Sequence, residues 1–456
     1  MPRIANPATG ETIREVAEDD ARAVAAKYGR ARAAQPAWAA RPYAERAAAL
    51  RAFRQRLVDD AEALARLLTG EMGKPVVQSR NELKGVLKRI DFFLEKTEGV
   101  LAPEEVHRRG GLEETVTHEP LGVVANVSAW NYPYFVGANV FVPALLTGNA
   151  VLYKPSEFAT LTGLAIAERL VASGVPEDVF VPVVGARDTG QALVEQPVDG
   201  VFFTGSHATG QAIARALAGR LVRLQLELGG KDPVYVADDV DVPKAAASVA
   251  EGAFYNAGQS CCAVERVYVH RAVHDAFLEA FVAAVRAFPV GDPLDPGTMI
   301  GPLARPAQLA VLEGQVQDAV AKGARVLLGG ARLARPGAYF APTVVAGADH
   351  SMELMREESF GPVIGVQEVA DDDHALRQMN DTRYGLTAAV YTTDAERARR
   401  LLARVQSGSV YWNCCDRVSP RLPWTGRRDS GMGSTLGLEG IRAFLQPKAW
   451  HMVAPV

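Results

Sequence analysis

The sequence predicts an α/β protein with two mostly parallel, doubly wound sheets, a helical front and a small β arm. Three observations lead there. From Leu121 onward, short apolar runs alternate with stretches of helical periodicity, the pattern of buried parallel strands separated by helices. A second series of the same kind begins after Gly229-Gly230. The 456 residues also exceed what a single core usually holds, so two or three domains are expected.

Taken in order, residues 18–70 are rich in Ala, Arg, Leu and Glu with apolar positions at helical spacing, and predict two or three surface helices. Gly73-Lys74-Pro75 breaks them, and the helical pattern resumes over Glu82 to Gly99. Leu112 to His118 alternates loosely, as a two-sided strand or hairpin arm does. The first strand series is Gly122–Val127, Ala150–Tyr153, Phe180–Val184 and Gly200–Phe203. The second includes Val234–Val236, Val267–Val269, Val363–Val366 and Ala388–Tyr391. Gly229-Gly230 is a natural hinge between them. The division expected is 1–103 with 121–229, then 230–436, with 104–120 and 437–456 as arm and tail. The last twenty residues or so are mixed, and order there requires docking onto another element.

Composition excludes several classes. With 48% hydrophobic and 22% charged residues the chain is an ordinary globular protein, and a net charge of −4 leaves no electrostatic footprint for nucleic acid. The start has no apolar signal core, and no run of about eighteen apolar residues occurs, so no membrane segment is expected. The four cysteines form two adjacent pairs, Cys261-Cys262 and Cys414-Cys415. That is neither a disulfide framework nor the two-residue spacing of a zinc site, so no metal is expected and a cytoplasmic location is.

Three motifs directly follow strands of the first series: Trp130-Asn131-Tyr132-Pro133, Lys154-Pro155-Ser156-Glu157 and Phe203-Thr204-Gly205-Ser206. They fall at the carboxyl edge of one sheet, where open α/β folds bind ligands. Gly205 and Ser206 at a helix start offer N–H groups and a hydroxyl to a pyrophosphate, while Glu157 and Lys154 suit ribose hydroxyls. No G-x-G-x-x-G follows any strand, so a dinucleotide fold here is a variant one.

With Glu227-Leu228-Gly229-Gly230-Lys231, Gly258-Gln259-Ser260-Cys261 and Glu358-Ser359-Phe360-Gly361-Pro362, six motifs now stand in order. Together they resemble the NAD(P)-dependent aldehyde dehydrogenase superfamily, from Asn6-Pro7-Ala8-Thr9-Gly10 to Pro423-Trp424-Thr425-Gly426. The resemblance implies a variant Rossmann cofactor domain, an α/β catalytic domain and a small β oligomerisation arm, in the three parts given above. It implies Cys261 as nucleophile, Glu227 as general base and Asn131 as oxyanion donor. It implies NAD, with NADP possible, held by Trp130, Lys154, Glu157, Gly205, Ser206, Glu358 and Phe360. A carboxylate at Glu157 repels a 2′-phosphate and favours NAD. A homodimer or homotetramer and a small aldehyde substrate are also implied.

The residue chemistry agrees with that reading. A thiolate adds to a carbonyl, amide and backbone donors hold the oxyanion, hydride leaves, and water activated by a carboxylate resolves the thioester. Tyr134, Trp424 and Arg417 are expected along the substrate tunnel; Arg417 or Arg421 could receive the carboxylate of a semialdehyde such as succinate semialdehyde. Cys262 is expected to be a structural neighbour. Where many family members carry a second glutamate in Arg-Glu-Leu-Gly, this chain has Ser434-Thr435-Leu436-Gly437, so Glu227 is expected to work without that relay. Three alternatives stand beside this reading: a CoA-acylating relative, a cysteine hydrolase, and a non-catalytic protein that keeps the fold. The presence of Glu227, the lack of a histidine motif and the intact Cys261, Glu227 and Asn131 weigh against them in turn.

Overall fold

The structure is a computed structural model that describes residues 3–454. Helices Ala21–Ala39, Tyr43–Asp59, Ala61–Met72 and Val76–Leu101 form the helical front. Asp20 starts the first by accepting the Ala23 amide at 2.7 Å, an ordinary N-cap. Gly73 ends the third in the left-handed region at φ +81°, and a Cβ there would lie 2.6 Å from the Pro302 ring. That single glycine turns the chain so that Lys74 enters the interior.

The first sheet has six strands in the order Gly431–Met432, Arg223–Glu227, Gly200–Thr204, Val123–Val127, Ala150–Lys154, Phe180–Pro182. All pairings are parallel except that of the late strand Gly431–Met432, which runs antiparallel against Leu226 and Glu227. Strand order reverses between Val123–Val127 and Gly200–Thr204, so the crevice beyond their carboxyl ends is the topological switch point. The loops opening there are Ser128–Tyr132 and Gly205-Ser206.

The second sheet has seven strands: Arg325–Leu328, Thr343–Ala346, Val363–Val369, Arg266–His270, Pro233–Val236, Thr387–Tyr391, Ser409–Trp412. Only the edge strand Arg325–Leu328 is antiparallel. Val, Ile and Ala fill its central strands because both faces are covered by helices. The arm is a three-stranded antiparallel sheet of Glu104–Arg109, Leu112–Pro120 and Leu445–Val453, with the last two paired along their whole length. Within the described residues, the C-terminal tail is thus ordered by docking onto its own arm. No described helix is long and apolar enough to cross a membrane.

Candidate active site

The nucleophile loop starts where helix Val242–Phe254 ends. Asn256 and Ala257 both adopt φ +54° and Gly258 φ +72°, three successive left-handed residues. Such backbone costs about 1–3 kcal/mol at a non-glycine residue and persists only when surroundings impose it. Here they do: a Cβ on Gly258 would lie 2.3 Å from the Gly361 carbonyl. The buried Gln259 side chain accepts from the Ala304 amide at 2.9 Å and donates to the Asn256 carbonyl at 3.1 Å. The Gln259 carbonyl accepts from Asn131 Nδ2 at 3.2 Å and from Asn256 Nδ2 at 3.0 Å. Asn131 and the Cys261 loop, 130 residues apart in sequence (261 − 131), are thereby brought together.

The two cysteines differ in surroundings. Cys261 is half-buried and Cys262 buried. The Cys262 thiol donates to Asp416 Oδ1 at 3.1 Å, beside the Ser260 hydroxyl at 3.0 Å from the same oxygen. The neighbouring Cys261 sulfur, then burial, push the Cys262 thiol well above its ordinary value. Cys262 is therefore a protonated structural donor.

Glu227 ends its strand with 5% exposure. Burial pushes its carboxyl up to about 7, while hydrogen bonds from Thr435 and Gln225 pull the other way. Both donors reach the same oxygen, Oε1: Gln225 Nε2 at 3.0 Å, and the Thr435 hydroxyl. Thr435 is placed there by a two-way backbone pairing with Trp424, at 2.7 and 2.9 Å. The threonine that stands in place of a second glutamate supplies no carboxylate but donates to Glu227 directly. A carboxyl titrating near 7 is suited to general-base work at neutral pH.

At the dinucleotide edge, Lys154 is 5% exposed, and among the described residues its ammonium reaches only the Pro155 carbonyl, at 3.4 Å. Burial lowers its pKa, opposed by Glu157 and Glu18. Glu157 is exposed, touched by the Ser156 hydroxyl at 3.2 Å. Ser206 caps helix His207–Leu217, accepting the Thr209 amide at 3.3 Å, and a Cβ on Gly205 would strike the Phe203 ring at 2.5 Å. A buried lysine in want of acceptors, an open carboxylate and a free helix start fit a dinucleotide's ribose and pyrophosphate. A cavity of about 350 Å³ opens beside Glu157 and Phe158.

The Glu-Ser-Phe-Gly-Pro motif meets Glu-Leu-Gly-Gly-Lys through buried ions. Lys231 Nζ bonds Glu265 at 2.6 Å and Ser359 Oγ at 3.0 Å, and Glu265 accepts the Ser359 and Phe360 amides, both at 3.1 Å. Glu358 accepts the Gly230 amide at 3.0 Å, and burial raises its carboxyl to about 8. A Cβ on Gly229 would fall 2.3 Å from the Glu358 carboxylate, and one on Gly230 3.1 Å from the Cys261 carbonyl, which explains the paired glycines. Trp130 lies edge-on to Phe360 at 5.4 Å and to Phe158 at 6.3 Å.

The substrate side is where the sequence reading was least complete. On helix Pro133–Leu146, Phe135 and Val136 are part-exposed and Asn139 continues their face as a stripe along one helix side, with the part-exposed N-cap residue Tyr132 just before it. Tyr134 is on the other side, 1% exposed and packed in the first core, so its expected tunnel role is corrected. Gly85 and Arg89 of helix Val76–Leu101 meet this stripe, with Gln78 and Asn81 earlier on the same helix. Gln78 accepts the Asn256 amide at 2.9 Å, Asn81 reaches the Tyr255 hydroxyl at 3.2 Å, and a Cβ on Gly85 would overlap the Phe135 ring. Arg417 and Arg421 are exposed, with the Arg417 guanidinium donating to the adjacent Asp416 carbonyl. Trp424 is 5% exposed and belongs to the first core.

Two glutamates of the helical front were missed by the sequence reading. Glu82, ion-paired with the fully buried Lys74, accepts the Tyr134 amide at 2.9 Å and caps the helix after the Trp130-Asn131 motif. Glu71 accepts the Leu161 and Thr162 amides at 2.6 and 2.8 Å and caps the helix after the Lys154–Glu157 motif. Both loops are therefore aimed by the helical front. The available signal was Lys74, Glu82 and Arg89 interleaved with the inward-facing Leu83, Val86 and Ile90.

A thiol on a strained loop, a carboxyl that burial raises to about 7 and a sheet edge at a topological switch point thus lie in one fold. Comparison with known proteins gives that fold its name. Residues 2–450 match the model of the aldehyde dehydrogenase family. The chain is 36% identical to a 3,6-anhydro-alpha-L-galactose dehydrogenase of Streptomyces coelicolor, over 98% of this chain and 92% of that protein. It is 35% identical to a succinate-semialdehyde dehydrogenase [NADP(+)] of Deinococcus radiodurans, over 97% and 93%. The crystal structure of betaine aldehyde dehydrogenase from Staphylococcus aureus in complex with NAD+ superposes with a TM-score of 0.95 at 31% identity, covering 99% of this chain and 91% of that one. The chain belongs to the aldehyde dehydrogenase family and has its fold. The resemblance carried by the six sequence motifs is thereby confirmed.

Proposed function

We propose that this enzyme oxidises an aldehyde to a free carboxylic acid with NAD or NADP, through a thioester on Cys261. The Cys261 thiolate adds to the aldehyde carbon, and the carbonyl oxygen becomes an oxyanion held by the Asn131 amide and the Cys261 backbone N–H. Nicotinamide, when bound, supplies the hydride acceptor, and Trp130, Lys154, Glu157, Gly205, Ser206, Glu358 and Phe360 are the residues that would hold the dinucleotide. Glu227 takes a proton from water, the hydroxide attacks the Cys261 thioester carbon, and the thiol leaves with the acid released. The observation that carries this reading is the Glu227 carboxyl, buried at the end of its strand between the neutral donors Gln225 and Thr435, where burial raises it to about 7. An acylating enzyme that hands its thioester to CoA has no use for such a base.

The test is reduced-cofactor absorbance with a panel of aldehydes, run with NAD or NADP and with or without CoA, and with acid product quantified. Acid formation independent of CoA is expected; acyl-CoA as the sole product would reverse the assignment. The exposed Glu157 carboxylate favours NAD by repelling a 2′-phosphate. Four free cysteines suit a reducing cytoplasm. Exposed Val106, Trp450, Met452 and Val453 on the arm favour a homodimer or homotetramer, which light scattering would reveal.

A further inference from the structure

Arg89 is a buried arginine for which the mechanism above has no use. It is 5% exposed and lies on helix Val76–Leu101. Along this helix Gln78 is buried, Asn81 exposed, Gly85 intermediate and Arg89 buried again. The guanidinium carbon lies over the Phe135 ring, 3.7 Å from its centroid. Phe135 in turn stacks on Tyr132 at 5.7 Å with 4° between planes, and Lys74 closes the column 3.7 Å from the Tyr132 centroid. The column seats the guanidinium against the substrate-side stripe.

Its hydrogen bonding is incomplete. Nε donates to Asn139 Oδ1 at 3.1 Å and Nη1 to the Gly85 carbonyl at a long 3.5 Å. Among the described residues Nη2 has no acceptor, and no carboxylate pairs with the group. The charges whose field it feels are Glu82, already paired with Lys74, then Cys262 and Glu227. Burial draws Arg89 down to about 10, so it remains a cation at neutral pH. Buried arginines are ordinarily paired, because an unpaired ion in a low-dielectric site is costly. A buried guanidinium seated over Phe135, its Nη2 still free among the described residues, is suited to an anion that arrives from outside.

We infer that Arg89 is the specificity residue of the substrate site and that it receives a carboxylate on the aldehyde substrate. This rests on the aldehyde-oxidation reading above and narrows its substrate class to short aldehyde acids. It also moves the anion-binding role away from Arg417 and Arg421, whose side chains stand in solvent.

The test compares succinate semialdehyde with butanal, its neutral counterpart of equal carbon number, as kcat/KM in wild type, Arg89→Met and Arg89→Lys. The wild type is expected to prefer the acid, and Arg89→Met to lower the ratio of the two kcat/KM values about 100-fold, as loss of one partner of a buried charge pair does. Arg89→Lys should fall between, retaining the charge but not the fork. A second readout needs no turnover of an acidic substrate: succinate should inhibit butanal oxidation competitively in wild type and far less in Arg89→Met. A ratio unchanged by Arg89→Met, with both aldehydes slowed equally, would overturn the inference and leave Arg89 as a counter-charge for Glu227. Inactivity of the wild type with both aldehydes and either cofactor would instead remove the aldehyde-oxidation reading itself, and this one with it.

Discussion

Cys261 sits on a loop fixed by left-handed backbone and the bonds of the buried Gln259, whereas Glu227 ends a regular strand and is held by two neutral donors. The difference follows from what each group does in the proposed mechanism. As the proposed nucleophile, Cys261 needs its position fixed, and the left-handed backbone with its buried amide hydrogen bonds provides that. A base must gain and lose a proton each cycle, and a full counter-charge on its carboxylate would hold it ionised and weak. Amide and hydroxyl donors restrain Glu227 while leaving burial to keep it near 7.

The strongest way to break the comparison is at the nucleophile. Cys261→Ala should abolish aldehyde-dependent cofactor reduction, whereas Cys262→Ala should retain turnover and lose only the contact to Asp416. Next comes the base. Glu227→Gln should lower kcat by about 10²–10⁴-fold, the usual worth of a positioned general base, with a burst of reduced cofactor preceding slow hydrolysis. In wild type the base must be unprotonated, so where hydrolysis limits turnover kcat should climb with pH and reach half its plateau near 7. Loss of that limb in Glu227→Gln is the check.

Smaller effects set the buried ion pairs of neighbouring segments against the neutral anchoring of Glu227. Lys74→Met leaves the buried Glu82 without its partner and should cost about 3–5 kcal/mol in denaturant unfolding. Lys231→Met should cost a similar amount through Glu265, but its kinetic signature should be on the cofactor KM, because that pair holds the Glu358–Phe360 segment. The smallest change is expected from Thr435→Val. Removing a donor that lowers the Glu227 pKa should shift the rising limb of kcat to higher pH, with Thr435→Ser restoring it.

How much of this could be read in the chain depends on how far each partner lies in sequence. The strand runs after Leu121 and the six motifs are local, and they account for both sheets and for Cys261, Glu227 and Asn131. Glu71 and Glu82 act on amides 90 and 52 residues away, through helices whose own pattern shows only an apolar stripe. Their role emerges only when the helices pack. Tyr134 was misplaced because the aromatic run Tyr132-Pro133-Tyr134-Phe135 does not reveal where helix phase begins. One residue of offset exchanges core for tunnel. Thr435 was read as an absence because it was compared with a glutamate, yet its hydroxyl lies 208 residues from the base it touches. Arg89 carries no motif at all, and only its missing acceptor distinguishes it.

The most direct measurement of the central claim is peptide mass spectrometry of Glu227→Gln, quenched during the cofactor-reduction burst with a reactive aldehyde. The account predicts one acyl group per chain, on Cys261 and not on Cys262. An unmodified Cys261, or an acyl group on Cys262, would contradict it.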